Sequence, residues 1–370
     1  GDGVTDDTAA IQAAIDSSEQ NGKVVYFPPG VFSVSTLSVT NGIRGISCDG
    51  IIKGQGSAAV ATIVIGSTGS GISNGIFKLR MDQSAGDLVA VKAHDIVGCT
   101  FDQCQIYGFV NSATTNHYAF WCIGPCLRNM FTNNHITLYD TPTQRGFGIA
   151  IYGPEGASPY GGFFTGSLVQ SAAPANENII ANNTIIDGSY AVSLQYAEQC
   201  IVDGNYCRNQ NHRSIYIAVA AVRNVVSNNQ FVDFLSSAVL LGYNAWKNTV
   251  SGNLCYKSSG FGGEAAININ TGSSYNLISD NTIKNNTIGP GYAGRNTAAI
   301  EVAQIDGPNT TQIIRTIITS NDVISADNIS YNLWFYADTD GRFFGTNITN
   351  NNFNFGNSEA SYNAIGATTW

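Results

Sequence analysis

Charge is scarce in this chain. Only 12% of its 370 residues are Asp, Glu, Lys or Arg, about half the roughly 25% of an average soluble protein. Basic residues are the scarcer kind: 17 Lys and Arg stand against 26 Asp and Glu, for a net charge of −9. The basic stripe that grips a phosphate backbone is missing, so no nucleic-acid partner is expected. No run of about 18 apolar residues occurs, so no membrane partner is expected either. No His and Cys group has zinc spacing, and no EF-hand or P-loop run appears, so neither metal nor cofactor is expected. The sequence starts at Gly1 without a basic and apolar leader. It therefore reads as a fragment or a processed chain.

What the chain has instead is 43% apolar residues, 40 Gly, 17 Tyr and 18 Phe, enough to fill a core. It also has a repeat: an apolar residue, two positions, Asn, one position, an apolar residue. Phe131, Asn134 and Ile136 make the first good copy. The same Asn recurs at 183, 205, 229, 253, 281, 321 and 351. An alternating strand follows each one, as in Ile215 and Ile217, Val239 and Leu241, Ile267 and Ile269, Ile300 and Val302, or Leu333 and Phe335. Two short strands in about 24 residues, recurring at a near-fixed period, describe the stacked coils of a parallel β-helix. Coils would lie ~4.8 Å apart. Asn at one turn position could then stack amide on amide along the axis.

The period also interprets the eight cysteines. Cys207 and Cys255 take the repeat position held elsewhere by Ile185, Phe231 and Ile283, so they are core residues two coils apart, about 9.6 Å. A disulfide needs Cα atoms about 4.4–6.8 Å apart. Cys99 stands where a ladder Asn would be. Cys122 with Cys126, and Cys99 with Cys104, are near enough in sequence to pair, but their spacing is not diagnostic. The chain reads as mostly reduced, which points to folding in a cytosol.

The opening run Gly1-Asp-Gly-Val-Thr-Asp6-Asp7-Thr-Ala-Ala-Ile-Gln-Ala-Ala-Ile-Asp16 signals a helix capped by Asp6 or Thr5, with Ile11 and Ile15 on one face. Lys23-Val-Val-Tyr-Phe-Pro-Pro-Gly30 then reads as a strand ended by a turn. An open β-helix end exposes core and unpaired strand edges, so residues 1–35 are expected to form a plug on a body of 36–370, all in one continuous domain. These two runs resemble the opening of the pectate-lyase superfamily right-handed β-helix domain, and the reduced-looking, Asn- and Gly-rich coil that follows is most similar to that of bacteriophage tailspike depolymerases. The resemblance implies an all-β, right-handed single-stranded parallel β-helix with an N-terminal capping helix, and a structural role for Asp6 and Asp7. It also implies a homotrimer, a bacterial surface polysaccharide as substrate, and a place on a virion tail after folding in a host cytoplasm, or alternatively secretion. Runs typical of polygalacturonases (Asn-Thr-Asp, Gly-His-Gly, Arg-Ile-Lys) and of mannuronan epimerases (Asp-Pro-His-Glu) are not found, so neither reaction is carried over.

Strand alternation nominates the site. With Ile300 and Val302 inward, Glu301 faces outward, and so do Tyr216, Leu240, Asn268 and Trp334. Tyr152 and Tyr336 extend that side. Aromatic faces suit sugar rings, and Asn and acids suit their hydroxyls. The loops before these strands vary in length and carry His212, Arg213, Glu264 and Arg295. Asp187 and Asp233 stand four residues after their Asn. The leading reading is an endo-glycoside hydrolase using Glu264 and Glu301, with Asp233 and Asp187 as further acids. Tyr152, His212, Arg213, Tyr216, Asn268, Arg295 and Trp334 are the expected substrate contacts. The second reading is a polysaccharide lyase in which His212, Arg213 and Tyr216 supply base and carboxylate neutraliser. The third is a non-catalytic glycan-binding fibre domain. Each acid also has a plain alternative as a surface charge, turn cap or subunit contact.

Overall fold

The computed structural model describes residues 1–40, 43–55, 61–67, 69–85, 89–109, 116–139, 145–153, 174–257, 265–270, 272–285, 298–304, 313–325, 331–337, 343–354 and 362–365. They fall into two compact units that meet in sequence between Ser193 and Leu194. Each unit is built of coils of a right-handed parallel β-helix. Among the described residues no helix is long and apolar enough to cross a membrane.

In the second unit one coil runs Ile201–Asp203, Tyr206–Arg208 and Arg213–Ala218. The next runs Val225–Ser227, Gln230–Val232 and Ser237–Gly242. Each strand pairs in parallel with its counterpart one coil on, which makes three sheets. Three strands per coil is one more than the repeat suggested. The first two strands hold about three residues and turn one side chain inward, Val202 in one and Cys207 in the other, both fully buried. A strand with one inward residue has no alternation to read, so the pair around the Asn looked like a single element.

The Asn at that corner is the expected ladder. In the first unit Asn134 Nδ2 donates to Asn183 Oδ1 at 2.8 Å. In the second, Asn205, Asn229, Asn253, Asn281, Asn321 and Asn351 follow in series, each Nδ2 donating to the next Oδ1 at 2.8–2.9 Å. The same Oδ1 also takes the backbone N–H of the residue below, as from Asn205 to Asn229 at 2.9 Å. The residue before each ladder Asn is left-handed: Asn133, Asn182, Gly204, Asn228, Gly252, Asp280, Ser320 and Asn350. Asn, Asp and Gly tolerate that conformation best.

A second ladder stands five residues earlier, where no Asn was expected to act. Asn129 donates to Asn178 at 2.9 Å in the first unit. Asn224, Asn248 and Asn276 form it in the second. Cysteines end the ladders. The N–H of Cys99 donates to Asn129 Oδ1, that of Cys104 to Asn134 Oδ1 and that of Cys200 to Asn224 Oδ1. All eight cysteines are free and buried. Cys207 and Cys255 flank Phe231 in register, as the repeat requires.

Stacked aromatics report the coil spacing. Phe77, Phe101 and Phe131 lie face to face with centroids 4.9 Å apart inside the first unit, and Tyr118, Phe147 and Tyr190 form a second stack at 4.7 Å. Both match the spacing of paired strands.

The helix, Thr8–Asn21, covers the first coil of that unit. It buries Ile15, and its side chains satisfy the edge. Gln12 works like a facing peptide: its Nε2 donates to Ser38 O at 2.8 Å and its Oε1 accepts Ser38 N–H at 2.9 Å. Thr8 Oγ1 accepts Ser35 N–H, and Glu19 takes the N–H and hydroxyl of Thr40. The N-cap is Asp7, one residue later than the sequence signal, and it makes no side-chain cap bond. Asp6 Oδ1 accepts Thr8 N–H instead.

Two outcomes follow from this packing. Asn229→Ala strips both partners from a buried amide, and each orphaned group costs about 1–3 kcal/mol. Chemical denaturation should show a loss of roughly 3 kcal/mol or more, while Asn351→Ala, at a half-exposed rung, should lose clearly less. Secondly, His117 is buried against Phe109 and accepts Tyr139 N–H, and burial pushes it down to about 4. Its folded form stays neutral while the unfolded form takes a proton below about 6.5. Stability is therefore full above that pH and is lost as pH falls toward 4. Denaturation midpoints at pH 7, 5.5 and 4.5 should fall more steeply for the wild type than for His117→Gln.

Candidate active site

The third sheet of the second unit carries the site. Its strands Arg213–Ala218, Ser237–Gly242, Ile267–Asn270, Ala298–Gln304 and Tyr331–Ala337 are in strict register. Ile215, Val239, Ile267, Ile300 and Leu333 point inward in one row. Tyr216, Leu240, Asn268 and Glu301 form the adjacent outward row, in the order that alternation predicted, and the Trp334 backbone pairs in register with Glu301.

The surroundings differ from expectation. The outer face is closed rather than open: Leu240, Asn268 and Glu301 are each 1% exposed. Asn268 Nδ2 donates to Glu301 Oε2 at 3.1 Å, so an amide holds the carboxylate out of water. Three buried polar atoms on this outer side have no hydrogen-bond partner: Asn268 Oδ1, Asn270 Oδ1 and Ser214 Oγ. Asn270 was not anticipated. Its signal in the sequence is the spacing, two residues after Asn268 and hence on the same side.

A second group sits at the start of the row. Arg213 Nη1 lies 3.5 Å from His212 Nε2, and its guanidinium stands 5.7 Å from the Tyr216 ring centroid. These three side chains are half-buried. Tyr216 and Glu301 are three coils apart, about 14 Å along the row, so the two groups do not touch directly.

Other expected residues fall elsewhere. Asp233 is left-handed, at the turn after Gln230–Val232, and its N–H donates to Tyr256 O at 2.9 Å. Asp187 is left-handed in the matching turn of the first unit. Both positions suit turn residues. Tyr152 ends a strand of the first unit and is buried there. Glu264, Arg295 and the side chains of Trp334 and Tyr336 lie outside the described residues. Among the described residues no cluster of three His, Cys, Asp or Glu could hold a metal ion.

Residues 1–233 match the family model described as rhamnogalacturonase A/epimerase, pectate lyase-like. A sequence comparison with curated proteins gives no match. Among solved structures the chain is similar to the A-module of a mannuronan C-5 epimerase from Azotobacter vinelandii, at 14% identity and TM-score 0.57, over 99% of this chain and 97% of that one. It is also similar to a variant tailspike protein of E. coli bacteriophage HK620 in complex with a hexasaccharide, at 14% identity and TM-score 0.63, over 92% of this chain and 63% of that one. A PL6 alginate lyase in complex with a trisaccharide matches at 14% identity and TM-score 0.59, over 95% and 84%. At these identities the likeness is one of fold.

Proposed function

The chain belongs to the rhamnogalacturonase A/epimerase, pectate-lyase-like family, and from that premise we propose that it is a depolymerase of a bacterial surface polysaccharide, an endo-glycoside hydrolase with Glu301 at its centre. One observation carries the reading. A carboxylate sits on the outer face of a β-helix sheet, held by Asn268, and the Oδ1 atoms of Asn268 and Asn270 on the paired strand are buried and have no donor. Sugar hydroxyls are the donors those oxygens lack. In this reading Glu301 passes a proton to the leaving glycosidic oxygen, and a second carboxylate acts as nucleophile or base on the other side of the ring. Glu264 is the residue we assign to that second role. A carboxyl separation of about 5–5.5 Å would retain the anomeric configuration, and about 6.5–9.5 Å would invert it. With Glu301 so buried, the outer face must open for the substrate to reach it.

The His212, Arg213 and Tyr216 cluster favours a second reading, β-elimination. There Arg213 would neutralise a uronate carboxylate and Tyr216 or His212 would take the neighbouring proton. A homotrimer on a virion tail belongs to the same proposal. Supporting it is a row of apolar side chains on the outer face of the first sheet, Ile201, Val225, Leu277 and Ile317 with Thr249 among them. Its two ends are exposed, and like copies would cover it.

The test is digestion of a panel of purified capsules and O-antigens, reading new reducing ends together with the ultraviolet band of unsaturated uronates. Reducing ends without the band are expected, and Glu301→Gln should lower their rate by about a hundredfold or more with the fold intact. Both signals rising together would replace hydrolysis by elimination and move the chemistry to His212, Arg213 and Tyr216. No product from any polymer, with the glycans still bound, would favour the non-catalytic fibre reading.

A further inference from the structure

Away from the outward row, the turn that follows the third sheet in the second unit has a pocket of its own. Its volume is about 230 Å³, and Trp246, Tyr275, Asn244, Ser274, Ala220 and Val222 line it. Three successive coils supply these residues: 220–222, 244–246 and 274–275. Two features set the place apart from the other corners.

The first is what the turn exposes. Trp246 and Tyr275 are each 42% exposed, on neighbouring coils and beside one pocket. The backbones that carry them are tied to neighbouring coils: Trp246 N–H donates to Ala221 O, and Lys247 N–H donates to Ser274 O. Both rings line the pocket and offer aromatic faces to a ligand.

The second is backbone conformation. Val219 and Ala220 are both left-handed, as are Tyr243 and Asn244 one coil on. A left-handed β-branched residue is an outlier that surrounding structure must enforce. Such strain gathers at ligand sites. Here the consecutive left-handed pairs fold the turn back and carry Asn244 to the pocket wall.

We propose that this pocket is a separate binding site for one pyranose ring of a glycan, distinct from the row that holds Glu301. The inference rests on the polysaccharide reading for the source of its ligand, and on the pocket alone for its chemistry. Flat indole and phenol faces match the apolar C–H faces of a pyranose, while the Asn244 amide offers donors and an acceptor to ring hydroxyls and Ser274 Oγ, which donates to Gly272 O at 3.3 Å, offers an acceptor. No carboxylate lines the pocket, so the site binds and does not cleave. Its volume is below the roughly 300–1,000 Å³ of pockets that enclose a drug-sized ligand. It therefore takes one ring of a chain that continues outside. Such a site would hold a polymer on the surface while the other face works on it.

Ligand-observed saturation-transfer NMR tests this without a known substrate. The probes are methyl pyranosides of glucose, galactose, mannose, rhamnose, N-acetylglucosamine and glucuronic acid. At least one should show transfer from the wild type and from Glu301→Gln, and lose it with Trp246→Ala. Trp246→Leu keeps apolar bulk and removes the aromatic face, so it should lose the signal as well, and circular dichroism melts check that both variants fold. On a polymer that the protein cleaves, Trp246→Ala should raise KM about tenfold, the worth of one aromatic face, and leave kcat in place. No transfer from any probe to the wild type, or transfer unchanged in both folded Trp246 variants, would overturn the site. Depolymerisation is read separately, so a binding result here stands whether or not a polymer is cleaved.

Discussion

A buried amide that bonds the same amide one coil away is the interaction on which the rest depends. Apolar burial alone would hold the coils together without fixing their register, since one inward methyl group slides past another at little cost. An Asn ladder does not slide. Asn229 takes the N–H and Nδ2 of Asn205 on one side, and gives its own Nδ2 to Val202 O on that same side and to Asn253 Oδ1 on the other. A shift by one residue would break all of these inside a medium where each broken bond costs about 1–3 kcal/mol. The ladder is thus a device for register, and register places one side chain above another on every face.

Regular stacking creates its own difficulty at an end, where a coil has N–H and C=O groups and no neighbour. The helix solves it by chemistry rather than by bulk. Gln12 presents an amide that pairs with Ser38 as a strand would, and Thr8 and Glu19 serve the neighbouring groups. Only Ile15 of that helix is buried. Its task is to complete hydrogen bonds, and this explains why the opening run is rich in short polar side chains with little apolar surface.

Much of this was legible because the fold repeats. The apolar-x-x-Asn-x-apolar pattern exposed the first ladder, and alternation put Tyr216, Leu240, Asn268 and Glu301 in one outward row in order. The second ladder was missed, although its sign is present: Asn129, Asn178, Asn224, Asn248 and Asn276 each precede a ladder Asn by five residues. The third strand of each coil was missed because three residues contain no period. Burial of the site was illegible for a different reason. Alternation says which side of a sheet a side chain leaves, and nothing about what lies on that side. Glu301 read as a surface acid because its own strand could not report its surroundings. Asp187 and Asp233 read as possible acids, whereas their left-handed backbone suits them to turns.

The ladders also bear on how the closed outer face should be understood. This fold has ample means to satisfy a buried amide, and from Asn205 to Asn351 it does so rung after rung. On the outer side of the third sheet it does not. Asn268 gives its Nδ2 to Glu301 and leaves its Oδ1 bare, Asn270 Oδ1 is bare two residues on, and so is Ser214 Oγ. Other orphans occur too, singly at Gln83 and Thr316 and two residues apart on one strand at Ser193 and Gln195. At about 1–3 kcal/mol each, the bare amide oxygens of Asn268 and Asn270, on the strand paired with that of Glu301, are a standing cost that apolar residues there would remove. Leu240 in the very next coil shows that the row accepts such a residue. A cost concentrated where the scaffold could avoid it is best explained by a partner that brings donors, and a polymer of hydroxyl-bearing rings brings many of them, at a spacing that a straight row can meet.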